Sequence, residues 1–534
     1  MRLPTGSIVL ATAILVPFSA PADPGGLQSP AAPAALAPQR AAGSAAGPAA
    51  TPLRLTLRQC IELALNNNLD IEIARYQPQI REQDVIAALG AFDNILFLDT
   101  VGGESNTSNG SGFLGGASVL DQDSFSIDSG VRRKLPFGTS YEWKFTELRT
   151  FTNSVFSDPN PQHKSAFGLS VTQPLLKGMG YEANWTTVVL AKVEKGVAID
   201  DLEVSLAATL FEVHRAYWQL AAAIEEREVQ EQALEVERRL REVAEERFRA
   251  RLAAEIEVIQ ARAGEASQLE GLLIARNNVL AAQDALKRVV DPSLLRDTAH
   301  EISLEPADRP EFRPVPVDRD ASLQTALSGR PEIRSVRKRM GGQDAKIAQA
   351  HNATLPRVDL TGGYRLDGLG SNFGNAVHQE FQWYFHDWNV GLGIEVPLGN
   401  LTARSRLHQA ELEQRVLYWD LRRAEQQVIV DVRAALRDLE TTEQRIEATA
   451  RAREYAERQF EAERKRLELG LSTYFQLLEI QRDFTQARTN EIRARIDRLL
   501  AEAALDRATG EILARHDIHV LDQTEPRLPI RSAQ

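Results

Sequence analysis

The chain has 534 residues, of which 62 are basic and 74 acidic, giving a net charge of -12. That balance argues against nucleic acid as a partner, because no basic excess is available to displace counterions from phosphates. The single cysteine, Cys60, cannot form an intrachain disulfide and reads as a small apolar residue on the first amphipathic helix.

In chain order, Arg2 precedes an apolar run from Ile8 to Phe18 that ends in Ala20-Pro21-Ala22. A charged start, a short apolar core and a small-residue cleavage site predict a signal peptide over residues 1–22. Around a dozen apolar residues fall short of the roughly 20 that a spanning helix needs. Residues 23–52 are an Ala/Pro-rich leader without the large apolar residues of a core, and disorder is expected there. No other segment reaches the length of a membrane helix, so an exported protein of this kind meets a membrane with strands.

Short helices are expected over residues 53–94, then strands over 95–173. Tyr141, Trp143 and Phe145 alternate with Glu142, Lys144 and Thr146, and Phe167, Leu169 and Val171 alternate with Gly168, Ser170 and Thr172. A further hairpin signal at Leu135-Pro-Phe-Gly-Thr139 leaves open whether this region holds two strands or four. Between Pro174 and Pro292 there is no proline, which predicts a long helical hairpin over 174–290. A linker over 291–320 and short helices over 321–356 follow.

The region 357–397 returns to period 2, with Val358 to Leu366 and Trp388 to Val396 as strands of about nine residues, near the 9 to 11 of a tilted bilayer crossing. The Gly/Asn-rich loop between them ends in Trp383-Tyr384-Phe385. Trp143, Trp383, Tyr384 and Trp388 are the candidates for an interfacial aromatic girdle. His378, His386 and Asp387, read as part of this loop, lack metal-ligand spacing.

From Thr402 to Leu469, and again from Leu471 to Thr509, there is neither glycine nor proline. The first run would span on the order of 100 Å as a helix, too long for an ordinary domain, so the region 398–513 is expected to be a second helical hairpin. Its apolar content is a narrow stripe, Val428, Val432, Ala435, Leu439 and Ile446, and the rest is densely charged. Gly470 suits a left-handed helix end, and Thr473 with Gln476 has the spacing of a capping box. Glu479 has Arg482 in reach on its own helix, a pairing of little energetic weight. A tail occupies 514–534.

The two hairpins are related. Leu252 falls on Leu471, Ile256 on Phe475, Val258 on Leu477 and Ile259 on Leu478 without a gap, and Glu212–Leu220 aligns with Asp431–Leu439 at the same offset. With Ile61–Leu69 resembling Leu323–Pro331 and Val171–Leu176 resembling Ile394–Leu398, the chain reads as two diverged copies of one unit.

Together with the opening LTLRQCIELALNNN, the junctions VTQPLLKG and VPLGN, and GLSTYFQLLEIQR, this layout resembles the outer membrane factor family, the TolC-like channel-tunnels. The resemblance runs from about Leu55 to Leu513. It implies an α+β membrane protein in which a homotrimer shares one outer-membrane β-barrel, continued by a long periplasmic α-helical barrel. The short helices of 53–94 and 321–356 would then form an equatorial region.

By the same resemblance, a periplasmic adaptor docks at Arg251, Leu252, Ala253 and Ala254 and at Gly470, Leu471, Ser472 and Thr473. Glu257, Gln260, Gln476 and Glu479 would ring the periplasmic entrance. Arg251 stands where the family has glycine and Gln476 where it has an acid, so the acidic ring is thinner than the family pattern and the two tips are expected to differ toward an adaptor. The resemblance implies a passive exit duct for efflux or type I secretion. Its partners would be an adaptor, an inner-membrane pump of the resistance-nodulation-division, ABC or major facilitator type, and outer membrane lipid.

No nucleophile elbow, phosphate loop or Cys/His pairing points to an enzyme, and no cofactor is implied. The rival reading is a periplasmic adaptor, expected to carry one hairpin between small β-domains. A cytosolic coiled-coil scaffold would require that no signal be cleaved.

Overall fold

The computed structural model describes residues 53–108, 119–252, 254–295, 303–309 and 318–520. The expected signal peptide and leader lie outside these residues, as do half of the linker, Ala253 and the end of the tail.

The first half runs β1 (Leu53–Leu55), α1 (Leu57–Asn67), α2 (Leu69–Leu89), β2 (Ile95–Ser108), β3 (Val119–Lys134), β4 (Ser140–Thr152), β5 (Gln162–Pro174), α3 (Tyr181–Asn184), α4 (Thr186–Arg249) and α5 (Glu255–Val290). The second runs β6 (Leu304–Pro306), α6 (Arg319–Gly329), α7 (Pro331–Ala353), β7 (Arg357–Gly370), α8 (Phe373–Glu380), β8 (His386–Glu395), α9 (Leu401–Glu468), α10 (Tyr474–Thr509) and α11 (Ile512–Arg515). The first copy therefore contributes four long strands and the second two. His386 and Asp387 belong to a strand rather than a loop, and the loop itself contains α8, whose start is capped by the Asn372 side chain.

The six long strands form one antiparallel sheet in the order β2-β3-β4-β5-β7-β8. Its register puts Leu96, Val131, Trp143, Leu169, Tyr364 and Trp388 in a single transverse row. Along the strands the same face carries Leu98, Phe145, Phe167, Val171, Leu360, Val390, Leu392 and Ile394, because side chains two apart share a face. The opposite face carries Asp128, Glu142, Lys144, Thr361, Arg365, Asp387 and Asn389, tied by ion pairs of Lys144 with Asp128 at 3.0 Å and Arg365 with Asp387 at 2.9 Å. One wall thus has an apolar side and a wet side.

Helix α8 lies on the apolar side at the end of the strands. Its Ala376 carbonyl approaches so closely that a Cβ on Gly368 would meet it at 2.0 Å. This contact explains a glycine that alternation alone leaves unexplained. Phe373 on α8 meets Phe145 edge-on at 6.5 Å between ring centres.

Below the sheet, α4 and α9 are single helices of 64 and 68 residues, about 100 Å each at 1.5 Å per residue. They pack into two stacked rows, α2-α4-α7-α9 nearer the sheet and α5-α4-α10-α9 beyond it. Each row is one helix thick, so every helix buries only a seam and leaves charged faces wet, as the narrow apolar stripe requires. No helix among the described residues is long and apolar enough to cross a membrane.

The two rows meet at a belt held by a buried cluster that includes Cys60, Ile61, Leu210, Tyr217, Leu220, Leu286 and Ile512. Burial pushes the Cys60 thiol up to about 12, consistent with an inert packing role. Thr56 caps α1 with a complete capping box against Gln59. Strands β1 and β6 pair in parallel across the belt, and Asp308 fastens them: its carboxylate accepts from the Leu57 amide at 2.7 Å and from the Tyr217 hydroxyl at 2.9 Å. Replacing Asp308 by alanine is expected to cost about 2 kcal/mol or more through the orphaned donors, read as a lower thermal midpoint, while Asp308→Asn should recover part of the loss.

Candidate functional site

The two hairpin tips share one backbone motif. In the second, Gly470 is left-handed at φ 75°, the Gly470 amide donates to the Leu467 carbonyl at 3.0 Å, and the Leu471 amide reaches back to Arg466 at 2.8 Å. The pattern is a Schellman helix end. In the first tip, Arg251 takes the same position at φ 59°, with its amide on Phe248 at 2.9 Å and Leu252 on Arg247 at 2.8 Å. Arginine adopts there a conformation that normally favours glycine, at a cost on the order of 1 kcal/mol. The expected chemical difference between the tips is therefore superposed on an identical fold.

The difference extends beyond Arg251. Thr473 caps α10 by accepting from the Gln476 amide at 3.4 Å, and Ser472 hydrogen-bonds Glu463, which in turn pairs with Arg466 at 3.2 Å. At the offset that relates the copies, Glu463 corresponds to Ala244 and Thr473 to Ala254, which caps α5 with no side-chain bond. The second tip has a link across its turn that the first lacks, while the helices of the first are tied by Arg262 on α5 to Glu245 on α4 at 3.0 Å. The capping box expected at Thr473 is only half formed, since Gln476 does not return a bond to the Thr473 amide.

Both tips present apolar knobs to solvent: Leu252 is 73% exposed and Leu471 67%, followed one turn on by Ile256 and Phe475. Gln476 and Glu479 are exposed, while Glu257 and Gln260 are half-buried. The expected pairing of Glu479 with Arg482 does not form. Arg482 instead faces the buried Glu237 on α4. The described residues expected for docking thus lie at the two turns, and those expected at an entrance lie in the first two turns of α5 and α10. Trp143 and Trp388 lie in one transverse row on the apolar face of the sheet, and Trp383 packs beside that row on Tyr364 at 6.1 Å.

Sequence reading missed what holds the two tips against each other. Ala244, Val258, Ala261, Phe460, Leu467, Tyr474 and Leu477 form one cluster drawn from all four helices. Tyr474, the first residue of α10 and 1% exposed, donates its hydroxyl to the Leu240 carbonyl of α4 at 2.6 Å. Its counterpart in the first copy is the exposed Glu255, so the repeat alignment gave no hint of a lock. One turn above, Glu237 is buried; burial, with the like charge of Glu265 adding, raises its pKa to about 7 against the pull of Arg482. Glu265 is itself held by Arg238 at 3.4 Å and Arg241 at 3.0 Å.

A family model described as outer membrane efflux protein matches residues 135–290 and 322–511. The outer membrane protein TolC of Vibrio cholerae is 24% identical over 362 residues, covering 67% of this chain and 79% of that protein. Among solved structures, the outer-membrane channel OprN superposes with a TM-score of 0.64 at 17% identity, over 85% of this chain and 90% of OprN. The CmeC outer membrane channel of Campylobacter jejuni gives 0.62 at 17% identity, over 85% and 86% of the two chains.

Gly470→Ala is expected to weaken the second tip by about 1 kcal/mol, roughly a fivefold rise in local amide exchange over residues 467–473, and Arg251→Gly should have the opposite sign at the first. Glu237 has a raised folded pKa, so its contribution to stability is full below about 4.5 and is lost as pH rises through about 7. Amide protection around α4 and α10 near the tips, taken relative to the intrinsic exchange rate at each pH, should therefore fall between pH 5 and pH 8, and Glu237→Gln should flatten that dependence.

Proposed function

Because this chain belongs to the outer membrane efflux protein family, we propose that it is the outer membrane channel of a tripartite efflux or type I secretion system. Three copies would form a passive exit duct, opened by a periplasmic adaptor and an inner-membrane pump, without chemistry of its own. The adaptor reading is set aside: two helical hairpins share one six-stranded sheet here, where an adaptor would carry one hairpin between small β-domains.

One observation supports association into a ring. The sheet and both helical rows each begin with a first-copy element and end with a second-copy one: β2 to β8, α2 to α9, and α5 to α9. All three layers are thus open on the same two sides, and their helical edges bear exposed apolar stripes. On α2 these are Leu69, Ile73, Tyr76 and Ile80, and on α9 Leu401, Leu412, Trp419 and Val430. Residues spaced in this way share a helix face. Unlike edges meeting head to tail generate a closed ring when the rotation fits, and a ring would bury both stripes at once.

In that ring the tips lie at the periplasmic end. The exposed Leu252, Ile256, Leu471 and Phe475 suit an adaptor's apolar contacts, and the first tip, without a counterpart of the Ser472–Glu463 link, would present a different surface from the second. Glu257, Gln260, Gln476 and Glu479 would surround the entrance. Opening requires α10 to part from α4, so the Tyr474 hydrogen bond and the cluster around it would be the latch that partner contacts overcome. Trp143 and Trp388 on the apolar face of the sheet, with Trp383 and Tyr384 in the turn before β8, suit the lipid interface.

Purified protein in planar bilayers is expected to form ion-conducting pores, and Glu257→Gln combined with Glu479→Gln to lower their block by divalent cations several-fold. Unchanged block removes these two residues from the entrance, and absence of conductance removes the channel.

A further inference from the structure

The sheet contains more than the duplication asks for. The second copy supplies one hairpin, β7–β8, and β4–β5 is its counterpart in the first; β2 and β3 have no second-copy equivalent. They are nonetheless continuous with the sheet. Strands β2 and β3 pair in unbroken register from Ile95 opposite Arg132 to Ser108 opposite Val119, and β3 continues onto β4 from Gln122 to Lys134. Residues matched by the family model begin at 135, immediately after β3 ends.

The extra hairpin follows its neighbours' two-sided rule in part: Ile95, Phe97 and Val101 fall on the polar side, and toward the turn Glu104, Asp121 and Asp123 fall on the apolar one. Leu96, Leu98, Val131 and Ile127 extend the apolar face, and Asp99, Asp128 and Arg132 extend the polar one. A hairpin lying outside the wall, or folded into the lumen, would have no reason to carry Leu96, Leu98, Ile127 and Val131 in phase with the apolar rows of its neighbours.

Among the described residues β2 and β8 each pair on one side only. An unpaired strand edge is not tolerated in hydrocarbon, where each unsatisfied amide or carbonyl costs several kcal/mol. Strand direction alternates along the sheet, so β8 runs opposite to β2, and β8 of one copy can meet β2 of the next as another antiparallel pair.

We propose that β8 of each chain pairs with β2 of the next, so that three chains close an eighteen-stranded barrel with β2 and β3 as part of its wall. The inference rests on the trimeric channel reading and adds the strand count and the interface. Strands about 4.8 Å apart and tilted about 40° take up roughly 6 Å of circumference each, so eighteen make a wall of about 110 Å. Twelve strands, the number without the extra hairpins, would give about 75 Å. The helical part below has four helices per chain in its outer row, and twelve helices at about 9.5 Å spacing also give about 110 Å. At this tilt eighteen strands match the helical circumference.

The test is disulfide crosslinking of full-length protein in outer membranes, in a Cys60→Ala background. Asn389→Cys in β8 is combined in turn with Ile95→Cys, Phe97→Cys or Asp99→Cys in β2, and in a second series with Glu142→Cys, Lys144→Cys or Thr146→Cys in β4. Oxidation should move the β2 series from the one-chain band to two- and three-chain bands on a denaturing gel, and leave the β4 series at one chain. Multichain bands from the β4 series instead would mean a twelve-stranded ring with β2–β3 outside it, and would overturn the proposal. A covalent bond within one chain would overturn it as well. If the membrane-extracted particle is a single chain, the trimeric reading itself fails, an outcome separable from either by its mass.

Discussion

Backbone amides and carbonyls inside a bilayer have no water to fall back on, and most of this molecule's organisation follows from that. A sheet with an apolar face of Trp143, Leu169, Leu360 and Leu392 is suited to lipid, yet it ends in two raw edges, β2 and β8. Such a sheet is incompatible with lipid as a single chain. Closure by further copies satisfies both edges, and the even number of strands per chain lets every junction be antiparallel. The helical rows have the same incompleteness for a weaker reason: water satisfies their backbones' surroundings, but the stripes on α2 and α9 remain uncovered. In the proposed ring the sheet edges dictate association, and the helices follow its symmetry.

A one-helix-thick wall also explains the energetics of the tips. Each helix buries a seam of small and aliphatic residues, such as Val428, Val432, Ala435 and Leu439, with charged faces on either side, and most of the ion pairs on those faces are exposed and worth little. Stability is thus spread thinly along about 100 Å, with its densest packing at the belt around Tyr217. Far from the belt, the cluster around Tyr474 is small and shares its surroundings with a buried acid, Glu237. A wall that is rigid at the belt and marginal at the free ends is what a duct that opens at one end needs.

Much of the architecture was legible because it obeys strong periodicities. Runs without glycine or proline gave the long hairpins, period 2 gave four of the six long strands, and a gapless register gave the duplication. The tip at Gly470 was legible because only one residue type takes a left-handed turn cheaply. Arg251, in the same turn, was read as a departure although its backbone is unchanged, because neighbouring helix geometry imposes the conformation. The strands β2 and β3 stayed ambiguous: serines, glycines and aspartates in them weaken the alternation, and the pairing that fixes their register is tertiary. Helix α8 was hidden in a Gly/Asn-rich segment that reads as loop. The capping box at Thr473 and the Glu479 pairing failed for a common reason, namely that several partners lie within reach of each group and tertiary contacts select among them, as Arg482 turns to Glu237. Tyr474 could not be found from the repeat, since its counterpart is Glu255.

The central claim is that this chain is one third of a closed wall, and the most direct measurement is the mass of the particle extracted from outer membranes, taken by native mass spectrometry with the detergent removed. The account predicts three copies of the mature chain, dissociating to single chains on heating. A single chain, recovered in water without detergent from the periplasmic fraction, would contradict it.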